Sequence, residues 1–253
     1  MTQPAPLSAE YFDNWYANMA SSGMSDQIQQ RHLGLPADLL STSLLTWDGI
    51  ADVTQALQLT DTGTLLDLAC GRGGYGLEVA RRTGARLIGV DFSAEALRQA
   101  RQQAARLGQD AEFRVGDLTA TGLDGGSVTG VLCVDAVQFA DPVEASFVEM
   151  RRVLARGGRA VITGWEALDS ADERVPARLR QMNFATALGG AGFTGVEVLE
   201  RSVWRERERA MWEEAAALDP GTDPSLQSLH DEGVRVLETF PLIRRVLAIG
   251  VAP

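Results

Sequence analysis

Residues 64–80, Thr64-Leu65-Leu66-Asp67-Leu68-Ala69-Cys70-Gly71-Arg72-Gly73-Gly74-Tyr75-Gly76-Leu77-Glu78-Val79-Ala80, decide how the chain is read. Leu65, Leu66 and Leu68 form an apolar run short enough for a buried strand, interrupted only by Asp67. Gly71, Gly73, Gly74 and Gly76 then turn the chain into a helical stretch. Glycines at such a junction permit positive φ and let a ligand approach the backbone without meeting a Cβ. The helix that follows presents unpaired N–H groups and a positive dipole end, which suits an anionic or strongly polar ligand group.

Gly71-x-Gly73-x-x-Gly76 fits the dinucleotide fingerprint, but a plain strand-to-helix turn gives the same pattern. The surroundings distinguish the two. Residues 84–91, GARLIGVD, read as a second strand ending in Asp91. Asp91 lies about twenty residues past Gly71, the offset at which an acid meets a ribose hydroxyl.

Asp67-Leu68-Ala69-Cys70-Gly71-Arg72-Gly73 resembles the D-x-G-x-G-x-G signature of class I S-adenosylmethionine-dependent methyltransferases, with Ala69 where the first glycine usually stands. Gly89-Val90-Asp91-Phe92-Ser93 resembles their second motif, and Gly116-Asp117-Leu118 their third. The resemblance spans about residues 60–165 and is weak on the flanks. It implies an α/β fold: a doubly wound, mostly parallel seven-stranded sheet with an antiparallel last strand and helices on both faces. It also implies S-adenosyl-L-methionine as cofactor, S-adenosyl-L-homocysteine as product, and a small molecule as methyl acceptor. By the same resemblance Asp67, Ala69, Gly71 and Gly73 build the cofactor bend, Asp91 holds the ribose, and Gly116, Asp117 and Leu118 border the adenine.

Each assignment has a plainer counterpart. Asp91 also suits a helix-capping acid before Ser93, and Asp117 a solvated turn acid. Phe92 packs either on adenine or in the core. Asp135, at the end of the fourth strand, either complements a sulfonium with its negative field or faces water. Arg72 either reaches the methionine carboxylate or is solvated.

The strand–helix alternation supports this fold class independently. Strands are expected at 64–69, 84–91, 111–115, 128–134 and 159–163, with helices between them. Ser93 is the expected N-cap of helix 94–107 and Gly108 its stop. Asp141-Pro142-Val143-Glu144 reads as a helix start that runs to about Ala155. Ligands in such sheets bind beyond the carboxyl ends of the strands, where Gly71, Asp91, Asp117, Asp135 and Trp165 all fall.

The flanks read as additions to that core. Residues 1–57 are expected to form an N-terminal helical cap, frayed over 1–7. An aromatic stripe (Tyr11, Phe12, Trp15, Tyr16) lies on a helix over 8–20 and reads either as a lid or as core packing. A polar stretch over 21–36 contains His32, and an amphipathic helix covers 41–57. Residues 58–253 are the core, continuing through a helix from Pro176 to about Leu188. Strand 195–204, a helical insert over 206–241 and a last strand over 243–251 complete it.

Composition narrows the chemistry. In 253 residues, 23 basic groups face 34 acidic ones for a net charge of −11, which argues against nucleic acid or an anionic membrane as partner. Every basic side chain is Arg; the absence of Lys removes Schiff-base chemistry, a Walker-type lysine and a Tyr/Lys hydride-transfer pair. Cys70 and Cys133 lack metal-ligand spacing, and no metal is expected. Without a signal-like start or an apolar run of membrane-span length, the reading is cytoplasmic. Monomer and homodimer both remain open.

Methyl transfer is an in-line displacement, accelerated chiefly by positioning the acceptor and excluding water. Some small-molecule O-methyltransferases carry a His after the fourth strand; Gln138-Phe139 stands there. Gln138 is a candidate for positioning the acceptor. Of the two histidines, His32 is the better candidate base, because it precedes the helix expected to cover the cofactor. Two competing readings remain: an NAD(P)-dependent oxidoreductase, and a non-catalytic protein that keeps the cofactor fold.

Overall fold

The computed structural model describes residues 8–21 and 23–253; the expected fraying of residues 1–7 lies outside them. Three N-terminal helices come first: α1 (Ala9–Ser21), α2 (Met24–Leu33) and α3 (Trp47–Leu57). The core then alternates β1 (Thr64–Leu68), α4 (Gly74–Thr83), β2 (Arg86–Asp91), α5 (Ala94–Leu107), β3 (Ala111–Val115), β4 (Val128–Val134), α6 (Val143–Val153) and β5 (Leu154–Ala167). Short helices α7 (Ala177–Arg180) and α8 (Phe184–Gly190) lead to β6 (Thr194–Glu200). Helices α9 (Ser202–Ala217) and α10 (Pro224–Thr239) precede β7 (Ile243–Val251).

The seven strands form one sheet in the order β3-β2-β1-β4-β5-β7-β6. All neighbours pair parallel except those of β7, which runs antiparallel to both β5 and β6. This is the mixed, doubly wound sheet expected from the sequence. The strand order reverses between β1 and β4, which opens a crevice at the carboxyl ends of those strands.

The period-2 alternation of a strand sends adjacent side chains to opposite faces. Leu65, Leu87, Leu132 and Leu247 join the core under α3, α4, α5 and α9. Their neighbours Leu66, Ile88, Cys133 and Val246 join the core under α6 and α8, with Phe147 and Phe184 at its centre. Two covered faces explain why the central strands are almost wholly apolar.

Ser93 caps α5 by accepting the Ala96 N–H at 3.1 Å, and Gly108 ends that helix at φ +63°. Several other boundaries differ from the expected ones. The helix expected over 41–57 begins only at Trp47, capped by Thr46, because the preceding backbone is tied to the core. The Tyr75 hydroxyl donates to the Ser43 carbonyl at 2.8 Å, and Asp135 accepts the Leu44 N–H at 2.8 Å. The polar stretch 21–36 is largely α2, whose buried face uses Ser25 and Gln29 beside Ile28 and Leu33 and so carries a weak apolar signal.

Helix α6 starts at Val143 with Pro142 at the cap position, and it gives way to β5 at Leu154. The helix expected over 176–188 is split, since Asn183 starts a new one by accepting the Thr186 N–H at 2.9 Å. Val203 and Trp204, expected at the end of a strand, belong to α9, so the insert begins at Ser202. Trp204 is buried among the cap-side core residues, a helical placement that strand alternation could not reveal.

Candidate functional site

The bend after β1 is built by two acids. Asp67 is buried, and its Oδ2 accepts the Gly76 N–H at 3.1 Å. A Cβ on Gly76 would stand 2.4 Å from that oxygen, so Gly76 is required for the close approach. Burial is the main cause that pushes the Asp67 carboxyl up to about 7, against the opposing pull of the Gly76 hydrogen bond. Asp91, at the end of β2, accepts the Gly71 N–H at 2.8 Å and the Ser93 N–H at 2.9 Å. Its carboxyl is also raised by burial, while these N–H bonds lower it.

Ala69 adopts φ +58°, a left-handed conformation that glycine takes without strain. The expected glycine position thus keeps its backbone geometry with an alanine in place. Arg72 is buried and grips Asp26 of α2 through two bonds of 2.7 and 3.0 Å. Its guanidinium therefore anchors the cap to the bend.

The cap covers this rim. Tyr16 of α1 is buried, with its hydroxyl 2.8 Å from where a Gly71 Cβ would stand. Burial pushes the Tyr16 hydroxyl well above its ordinary range, and the hydroxyl is hydrogen-bonded to the Thr42 side chain. Phe12 stacks at a tilt on Phe92 with centroids 5.2 Å apart, and meets Phe139 edge-on at 6.1 Å. Asp13 accepts the Ser93 hydroxyl at 2.5 Å and the Glu95 N–H at 3.1 Å, fixing α1 on the N-terminus of α5.

Along the rest of the rim, Gly116 and Leu118 flank Asp117, which is exposed and whose Oδ1 accepts both the N–H and the hydroxyl of Thr119. Asp135 is buried at φ +58° at the end of β4. It receives Arg245 of β7 through 2.5 and 2.9 Å bonds, and the Thr163 hydroxyl at 2.7 Å. It is not a strand-end acid facing water. Gln138 lies beside it in a 3₁₀ turn over Val137–Phe139 and donates its amide to the Asp135 carbonyl at 2.7 Å.

His32 is engaged elsewhere. Its Nε2 lies 2.6 Å from Glu214 of α9, which also pairs with Arg31. Sequence reasoning passed over Tyr75, Thr163, Glu208 and Arg245. The signal for Arg245 was an arginine inside an apolar strand, which requires a buried anionic partner. Among the described residues there is no cluster of His, Cys, Asp or Glu suited to hold a metal, and no helix long and apolar enough to cross a membrane.

A glycine bend backed by an acid, at the reversal point of a parallel sheet, is the arrangement of a Rossmann-like fold. Residues 65–158 match the family model of the methyltransferase domain. Over that stretch the chain is similar to methyltransferase domains, and its fold is that of solved S-adenosylmethionine-dependent methyltransferases.

A sterol 24-C-methyltransferase of Saccharomyces cerevisiae is 28% identical over 127 residues, 49% of this chain and 33% of that enzyme. A phosphoethanolamine N-methyltransferase from Haemonchus contortus, solved with phosphomonomethylethanolamine and S-adenosylhomocysteine, superposes with a TM-score of 0.71 at 18% identity. That superposition covers 99% of this chain and 62% of the nematode chain. The [4+2]-cyclase SpnF superposes with a TM-score of 0.72 at 16% identity, covering 99% of this chain and 98% of its own. The chain therefore spans about one third of the yeast relative's length and under two thirds of the nematode protein's.

Proposed function

We propose that the protein is an S-adenosyl-L-methionine-dependent methyltransferase acting on a small-molecule acceptor, by O-, N- or C-methylation. The observation that carries this reading is the Asp91 carboxylate held against the Gly71 N–H at the switch point of the sheet. The residues present fit the cofactor. The bend runs through Gly71 at φ +52° and Gly73 at φ +79°. Cβ atoms there would meet the Tyr16 hydroxyl at 2.8 Å and Ala100 at 3.1 Å. Asp91 has its two oxygens fixed by the Gly71 and Ser93 N–H groups, and a carboxylate with four lone-pair sites can also accept from a vicinal diol.

When bound, the cofactor supplies a methyl group already activated by a positive sulfur. Asp91 would hold the ribose, and Asp117, Leu118 and Phe92 would border the adenine. Asp135 would border the cofactor at the end of β4, with Arg245 paired to its carboxylate. Phe12, Trp15 and Tyr16 exclude water, and the rate comes from orientation within that closed space. Gln138 has its amide N–H₂ fixed on the Asp135 carbonyl, which leaves Oε1 to accept a hydrogen bond from an acceptor hydroxyl or amine.

The acidic balance of −11 supports a small acceptor over nucleic acid. The free thiols of Cys70 and Cys133 suit the reducing cytoplasm. The methyltransferase-domain match favours this reading over an oxidoreductase. A second reading has one specific support: the fold also superposes on a cyclase, and a shared fold does not fix the chemistry.

Calorimetric titration with S-adenosylhomocysteine and with NADH tests the cofactor. Mass spectrometry after incubation with S-adenosylmethionine and sterol, phosphoamine, quinol and isoprenyl diphosphate acceptors tests the transfer. Binding of NADH alone would overturn the assignment. Cofactor binding without any methylated product would favour the second reading.

A further inference from the structure

A buried polar cluster beside the rim links the insert to the sheet. Glu208 of α9 is 1% exposed and Arg245 of β7 is fully buried. The indole N–H of Trp165 donates to both Glu208 oxygens at 3.1 and 3.2 Å, and that of Trp212 to Oε1 at 3.3 Å. Arg245 stands opposite Trp165 in the β5–β7 pair, with its guanidinium carbon 4.2 Å from the indole centroid. Both terminal nitrogens of Arg245 go to Asp135. Its Nε is buried without a hydrogen-bond partner, and the nearest anion is Glu208 Oε2 at 3.6 Å. One guanidinium thus serves two carboxylates, one on the cofactor rim and one on the insert.

We propose that Glu208 is a positioning residue for the acceptor side of the site. It fixes the Trp165 indole at the end of β5 and, through Arg245, the Asp135 carboxylate at the end of β4. That side is the acceptor's only if the methyltransferase reading holds. The contacts themselves do not depend on that reading.

Glu208 is also poised to change charge near neutrality. Burial is the main cause that pushes its carboxyl up to about 7; Arg245 opposes this and Asp135 adds to it. Arg245, Asp135, Trp165 and Trp212 face Glu208, and Tyr75 of α4 adds to the field on Arg245. Of the other charged groups near α9, Glu232 of α10 is also raised by burial, Arg209 meets Glu213, and Arg205 bonds the Phe240 and Ile243 carbonyls. His32 and Arg31 meet Glu214, Arg207 meets Asp48, Arg201 meets Asp52, and His230 lies against the Ala215 carbonyl. Ionising Glu208 therefore places a charge against two indoles.

The test is tryptophan emission of the full chain across neutral pH, with folding checked by circular dichroism. Wild type is expected to titrate with a midpoint near 7. His32→Gln should keep that transition, Trp165→Phe should lose about half its amplitude or more, and Glu208→Gln should abolish it. Glu208→Gln still offers an oxygen to an indole N–H, so acrylamide should quench it no more than wild type, whereas Glu208→Ala should be more open to quenching. A transition that survives in Glu208→Gln, or one missing from wild type, overturns the proposal. So does an amplitude unchanged in Trp165→Phe.

The kinetic arm uses the first acceptor turned over in the panel above. Glu208→Gln should raise its KM about fivefold while S-adenosylhomocysteine affinity stays within about twofold. Equal losses in both overturn the positioning role. If wild type binds no S-adenosylhomocysteine, the methyltransferase reading fails, and the emission titration still decides the role of Glu208.

Discussion

Arg245 and Asp135 are 110 residues apart in sequence, yet they form a two-bond ion pair inside the protein, Nη1 to Oδ1 at 2.5 Å and Nη2 to Oδ2 at 2.9 Å. The pair joins the antiparallel last strand to the end of β4. Because Asp135 also accepts the Leu44 N–H, it joins the cap to both. Removing one partner leaves a charge in a place that water does not reach. Arg245→Met is expected to cost about 3–5 kcal/mol, and the double change with Asp135→Asn to recover part of that loss. Urea denaturation of the four proteins in the cycle measures both.

The glycine bend gives opposite expectations at two positions. Gly76→Ala forces a Cβ to within 2.4 Å of Asp67, whose carboxyl is packed and bonded, so a loss of about 2–3 kcal/mol is expected. Ala69→Gly relieves a left-handed alanine, and the gain is offset by the entropy of the freer unfolded chain. The net change should lie between zero and about 1 kcal/mol in favour of folding. Thermal melts read both.

Asp67 makes stability depend on pH in a stated direction. Its folded value is raised from 3.8 to about 7, so the folded protein holds the proton more tightly than the unfolded chain. The resulting stabilisation is complete below pH about 4 and is lost as the pH rises through about 7, a change on the order of 4 kcal/mol. Asp67→Asn keeps an acceptor for the Gly76 N–H and removes the titration. The stability of Asp67→Asn relative to wild type should therefore rise across that window. A difference that stays flat with pH would show that Asp67 ionises normally.

Cofactor affinity should follow the charge on Asp91. Asp91→Asn keeps one acceptor oxygen for main-chain N–H groups but loses the charge-assisted bonds to a diol. S-adenosylhomocysteine affinity should fall about tenfold, the equivalent of about 1.4 kcal/mol. Calorimetry measures this.

His32 gives a contrasting expectation. Its link to Glu214 is partly exposed, so His32→Gln should cost under about 1 kcal/mol and leave S-adenosylhomocysteine affinity unchanged. A large loss of affinity would return His32 to the site.

Local patterns in the chain were sufficient for the sheet, its strand alternation and the glycine bend. Runs such as Val128–Val134 and Ile243–Val251 gave the observed strands directly, because a strand covered on both faces has to be apolar along its length. Ser93 and Gly108 marked the ends of α5 for equally local reasons. Helix α2 was less legible, because Ser25 and Gln29 occupy buried positions where apolar residues would have marked a face. The start of α3 was misjudged because Tyr75 and Asp135, remote in sequence, hold the preceding backbone extended.

The sequence by itself determined the doubly wound sheet and the rim on which Gly71, Asp91 and Asp135 fall, since periodicity and glycine placement act over a few residues. Only the tertiary structure decided which charges meet. Arg72 turns to Asp26 of the cap, His32 to Glu214 of the insert, and Arg245 to Asp135 and Glu208. A buried charge takes whichever opposite charge the packed elements bring near, and that proximity is set by the closed sheet and its covering helices rather than by distance along the chain.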